Sequence, residues 1–81
     1  MTQANFINGT FPNSISASLV RSGAYSNFDS SLSRDEQIAV LEDIASHVLK
    51  DLVIVEDNGQ VVRFKAQNHS HFLEWKIEET A

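Results

Sequence analysis

There is no cysteine in the chain, so no disulfide braces it and no thiolate is available to zinc. Proline occurs once and glycine three times, as Gly9, Gly23 and Gly59. Glycines so scattered form no phosphate-cradling loop. Long apolar runs are missing too. Leu52–Val55 is typical of the longest, far short of the ~20 residues a membrane-spanning helix needs. The N-terminus carries no basic stretch followed by an apolar core, so the cytoplasm is the expected compartment. Basic residues are few, six against eleven acids, for a net charge of −5. Phosphate backbones are bound by Lys and Arg, so neither nucleic acid nor a membrane is an expected partner.

With 81 residues the chain forms one domain. A single core below about 80 residues supplies only ~3–5 kcal/mol of net stability. Without disulfides, a protein partner or a second copy is the natural source of further buried area. A homodimer is therefore expected.

What is present falls into two parts. Residues 1–32 hold only Arg21 and Asp29 as charged side chains and are rich in Ser and Asn. All other charges lie in residues 33–81. The second part is strongly patterned. Ser33-Arg34-Asp35-Glu36 reads as a capping box, in which side chain and backbone of residues 33 and 36 exchange hydrogen bonds. Ile38, Leu41, Ile44, Ala45 and Val48 then recur at helical spacing. A helix is expected from about Arg34 to Lys50.

Asn58-Gly59 between two β-branched runs predicts a hairpin with a type I′ turn. Counting back from that loop, Val55 pairs with Val62 and Val53 with Phe64. These four face the helix. Leu52, Ile54, Glu56, Val61, Arg63 and Lys65 take the opposite face. Glu56 and Arg63 become diagonal neighbours. Asn68-His69-Ser70 reads as a second turn. Leu73, Trp75 and Ile77 alternate with Glu74, Lys76 and Glu78, which predicts a third strand from about His71 to Glu78, with a short C-terminal helix as the competing reading because Leu73 and Ile77 are also four apart. The expected fold class is α+β: one main amphipathic helix on a three-stranded antiparallel β-meander, with an N-terminal hairpin or arm.

The first part is more open. Phe6–Phe11 reads as a tight hairpin around Asn8-Gly9. Residues 13–22 fit a helix with Ile15 and Leu19 on one side, or a strand with Ile15, Ala17 and Leu19 alternating. Phe6, Phe11, Tyr25 and Phe28 all lie here. Aromatics are scarce in disordered segments, so this part is expected to dock on its own core, a sister subunit or a partner.

Residues with chemical potential are few. His69 and His71, with Glu74, form the one candidate metal or acid–base site. On a strand, rings two residues apart point the same way. Two histidines at a turn is the plainer reading, so no cofactor is expected. Ser46 and His47 are neighbours on a helix, about 100° apart, and make no nucleophile–base pair. Arg63 and Lys65 alternate with Phe64, which places that ring on the core face and not beside them.

The exposed apolar residues point furthest. One helix covers one face of a three-stranded sheet, so the other face must be covered by something else. The expected function is a non-enzymatic protein-binding module of the small regulator or inhibitor kind. Its expected contacts are Leu52, Ile54 and Val61 on the outer sheet face, with Phe6, Phe11 and Tyr25 on the arm. The competing expectations are a small enzyme using His69 and His71, and an accessory subunit of a larger assembly.

Overall fold

Residues 2–21 and 31–79 are described by a computed structural model of the chain. Strand β1 (Thr2–Gly9) leads into helix α1 (Ser14–Arg21). Helix α2 (Arg34–Leu49) is followed by strands β2 (Val53–Asp57), β3 (Val61–Ala66) and β4 (Phe72–Glu79). The strands form one antiparallel sheet in the order β1-β4-β3-β2. The class is α+β, as the patterning indicates, but the sheet has four strands and not three.

The fourth strand is β1. Its residues pair along β4 from Thr2↔Glu79 to Gly9↔Leu73, with a bulge at Ile7. The expected hairpin over Phe6–Phe11 is therefore absent, and residues 2–9 are an integral strand instead of an arm. The reason lies in side-chain packing. Phe6 sits edge-on to Trp75 with ring centroids 5.4 Å apart, and Phe11 lies 5.8 Å from Phe6. A local hairpin would have given up this aromatic cluster. Of the two readings for residues 13–22, the helix is the one found. Asn13 starts α1 by accepting the Ser16 amide at Oδ1, 2.8 Å away.

Helix α2 begins as its sequence dictates. The Ser33 hydroxyl accepts the Glu36 amide and the Glu36 carboxylate accepts the Ser33 amide. The helix stops at Lys50, which adopts a left-handed conformation (φ 53°). The Lys50 N–H donates to the Ser46 carbonyl, and the Ser46 hydroxyl donates to the Asp51 carbonyl at 2.8 Å. Ser46 is thus part of the helix stop and not a solvated side chain. The buried stripe runs through Gln37, Leu41, Ala45, Val48 and Leu49. Ile38 and Ile44 flank it, partly buried.

The hairpin register differs from expectation by two residues. Asp57 pairs with Val62, Val55 with Phe64 and Val53 with Ala66. Gly59, not Asn58, carries the positive φ (102°). The Asn58 side chain accepts the amides of Gln60 and Val61 at 3.3 and 2.8 Å. This moves the centre of the loop one residue along the chain. Because side chains alternate with period two, a two-residue slip leaves every face assignment intact. Val62 and Phe64 are fully buried beneath α2, and Val53 and Val55 pack at the core margin. Leu73, Trp75 and Ile77 on β4 complete the core, as their alternation indicates.

Candidate interaction surface

The outer face of the sheet is built from alternate residues of all four strands. Its middle row crosses the sheet as Glu56, Arg63, Glu74 and Asn8, each opposite the next. Arg63 pairs with Glu74 at 3.3 Å, and the Asn8 amide donates to the same carboxylate at 3.4 Å. Glu56 is directly opposite Arg63, not diagonal to it, as the corrected register requires. The Arg63 guanidinium also stacks over Phe72, 5.1 Å from the ring centroid.

This row divides the expected apolar patch. Ile54 lies opposite Lys65 on one side of it, and Val61 lies opposite Lys76 on the other. Leu52, Ile54 and Val61 do not form one continuous surface. Leu52 and Ile54 do stay together at the β2 margin, 67% and 50% exposed. Among the described residues β2 pairs with β3 alone and forms one edge of the sheet. Between α2 and β2 runs an open groove of about 420 Å³, lined by Glu42, Asp43, Ser46, Leu52, Val53 and Gln67.

The other expected contacts are placed differently. Phe6 and Phe11 pack against the protein's own core. Tyr25 lies outside the described residues. Two exposed apolar residues escaped the sequence reading: Ile7 at the β1 bulge and Ile15 on α1, 49% and 73% exposed. No local pattern marks a bulge, and spacing alone does not tell an exposed side of α1 from a buried one.

The histidines are engaged in folding. His69 and His71 lie outside the strands, with rings 5.0 Å apart in an edge-on arrangement. His69 Nε2 faces the Leu49 carbonyl at 3.0 Å, and its Nδ1 faces the His71 amide at 3.3 Å. A carbonyl only accepts and an amide N–H only donates, so these two contacts match the tautomer with its proton on Nε2. His71 Nδ1 contacts the Thr10 hydroxyl at 3.1 Å. Glu74 is committed to Arg63 and Asn8 on the outer face. Among the described residues no three His, Asp or Glu side chains gather as a metal site would require.

Two aspartates tie the elements together. Asp51 accepts the Asn68 amide at 2.6 Å, the Asn68 side chain at 2.8 Å and the Leu52 amide at 2.8 Å. The Asn68 amide chiefly holds its pKa down. Burial opposes this, and the Asn68 side chain, the Leu52 amide and His69, 3.9 Å away, add to the lowering. Asp57 receives both terminal nitrogens of Arg34 at 2.6 Å. This fork, with the Gly59 amide, lowers its pKa from 3.8 to about 2 against a small burial effect. Both carboxylates are depressed in the folded state, so their stabilisation is complete above the ordinary value and fades as pH falls toward the lowered one. The urea midpoint is expected to hold down to about pH 5 and to fall between about pH 4 and pH 2. A titration of the Asp51→Asn/Asp57→Asn double variant checks this, because it should lose most of that slope. Asp57 is partly exposed, so its share is at most about 1 kcal/mol.

No helix among the described residues is long and apolar enough to cross a membrane. Compared with protein-family models, curated proteins and solved structures, the chain matches none of them.

Proposed function

We propose that the chain is a non-enzymatic protein-binding module, a small regulator or inhibitor, that docks an extended segment along β2. One observation carries the reading. Among the described residues β2 is an edge strand that presents half-exposed Ile54, flanked by the still more exposed Leu52. An edge strand offers unpaired N–H and C=O groups for strand addition, and flanking side chains supply selectivity. β1, the opposite edge, is interrupted by a bulge, a device that discourages pairing. β2 has no bulge and no proline.

Ile54→Lys tests the reading. Ile54 lies on the outer face and outside the core, so the helix and the fold should survive. Binding of a protein partner, or self-association measured by sedimentation, should weaken by about tenfold or more. A variant with unchanged association and unchanged partners would rule out β2 as the docking edge.

A further inference from the structure

We infer that the segment received by β2 is a cationic strand of another protein and not a second copy of this chain. The inference rests on the reading of β2 as a docking edge and names its occupant.

The first ground is the arithmetic of self-pairing. A two-fold antiparallel pair must match residues of the same face, so each register centres on one residue, and three centre on the middle of β2, at Ile54, Val55 and Glu56. Centred on Val55, it sets Ile54 against Glu56 and Val53 against Asp57. Centred on Glu56, it sets that carboxylate against its own copy. Centred on Ile54, it gives Ile54 a matching partner but sets Leu52 against Glu56 and Asp51 against Asp57. These three registers bury apolar area against acid or bring like charges together, and like charges directly opposite destabilise a sheet pair. A register centred on Val53 sets Leu52 against Ile54 but covers only the start of β2, because the left-handed Lys50 ends the extended backbone that Glu56 and Asp57 would need opposite them. Two copies also carry −5 each, which slows and weakens their approach.

The second ground is which charges are already satisfied. Arg34 is forked onto Asp57, Arg63 pairs with Glu74, and Lys76 with Glu78. The remaining cations beside β2 are Lys50 at the helix stop and Lys65 opposite Ile54. By contrast Glu56 on β2 and Glu42 and Asp43 on the groove wall are exposed and hold no ion pair among the described residues. The acids that repel a second copy attract a basic strand, so one set of charges excludes one partner and admits another.

The geometry also specifies the pattern. On the outer face the incoming strand meets Ile54 and then, two residues on, Glu56. It needs an apolar residue and a Lys or Arg two positions apart. Its alternate residues lie over Val53 and the groove walled by Glu42 and Asp43. There a long basic side chain rests its stem on Leu52 and Val53 and brings its charge to the carboxylates.

The test uses the whole protein and a blocked octapeptide of lysine and valine, with one valine and one lysine two positions apart on the same face. The controls are the same peptide with glutamate for lysine, and one with methylated backbone nitrogens. At about 50 mM salt the lysine peptide should bind at least about tenfold more tightly than either control and weaken by a similar factor at about 500 mM. Amide exchange should slow along Val53–Asp57. The Glu42→Lys/Asp43→Lys variant, altered only on the exposed side of α2, should lose about tenfold in affinity. Equal binding of the lysine and glutamate peptides, with β2 protected, would overturn the charge selection and leave the docking edge standing. Protection of β2 by concentrated protein alone, without peptide, would make a second copy the occupant and overturn the inference. If neither peptide nor copy protects β2, the inference and the docking edge fall together.

Discussion

Trp75→Ala should abolish the cooperative urea transition at 25 °C and leave the chain largely unfolded. Trp75 has no exposed surface and lies at the centre of the core. It meets Phe6 on one side and Phe64 on the other, edge-on, with centroids 5.4 and 5.8 Å away. Truncating a buried Trp to Ala costs about 3–5 kcal/mol. The total stability of a domain this small is itself about 3–5 kcal/mol. The loss should therefore consume nearly all of it. Trp75→Phe supplies the control. It keeps most of the ring area and removes an indole N–H that is buried without a partner. It should cost no more than about 1–2 kcal/mol. Far-UV circular dichroism against urea reads both variants. A Trp75→Ala protein that melts cooperatively near the wild-type midpoint would show that the aromatic cluster does not hold the sheet to the helices.

Gly9→Ala should detach the end of β1 and lower stability by about 1–3 kcal/mol. A Cβ at this position would stand 2.7 Å from the Phe72 carbonyl oxygen, 3.0 Å from Leu73 Cδ2 and 3.1 Å from Phe6 Cζ. The side chains can yield a little, but the carbonyl cannot. It accepts the Thr10 amide at 2.9 Å and belongs to the backbone of a central strand. Relief therefore requires β1 to move away from β4. Amide exchange measures this locally. Thr2–Gly9 should exchange faster while the β2–β3 ladder keeps its protection. Uniform acceleration across all four strands would mean instead that β1 cannot open separately from the rest.

Trp75 is legible as a core residue from its alternation with Glu74 and Lys76. What it packs against is not, because Phe6 lies far away in sequence and a local hairpin over Phe6–Phe11 is an equally good reading of Asn8-Gly9. The contact decides between them. Asn-Gly marks a turn at Gly59, where the positive φ is real. It marks none at Gly9, where the absent side chain admits a close approach between strands. One dipeptide thus serves two different physical needs, and only the neighbours distinguish them.

The candidate surface was legible to a similar depth. Alternation places Ile54 on the outer face, and a two-residue shift in register leaves it there. Alternation along one strand does not show that a charged row separates Ile54 from Val61. That row depends on Glu56, Arg63 and Glu74 lying side by side on three strands. Gln37 is a further case. It is almost fully buried with Oε1 unpartnered, although by residue type it belongs on a helix exterior.

From the sequence alone came the elements governed by neighbours a few residues apart. The capping box starts α2, helical spacing gives its apolar stripe, and alternation gives β3 and β4 with their inward faces. These follow from backbone periodicity and short-range hydrogen bonds, which are written in consecutive residues. The tertiary structure alone decided that β1 closes the sheet, that Phe6 and Phe11 belong to the core, and that β2 is left as an edge among the described residues. It also engaged His69 with the end of α2. Each of these is a pairing between distant segments, selected by the total area and hydrogen bonding that the packed chain achieves.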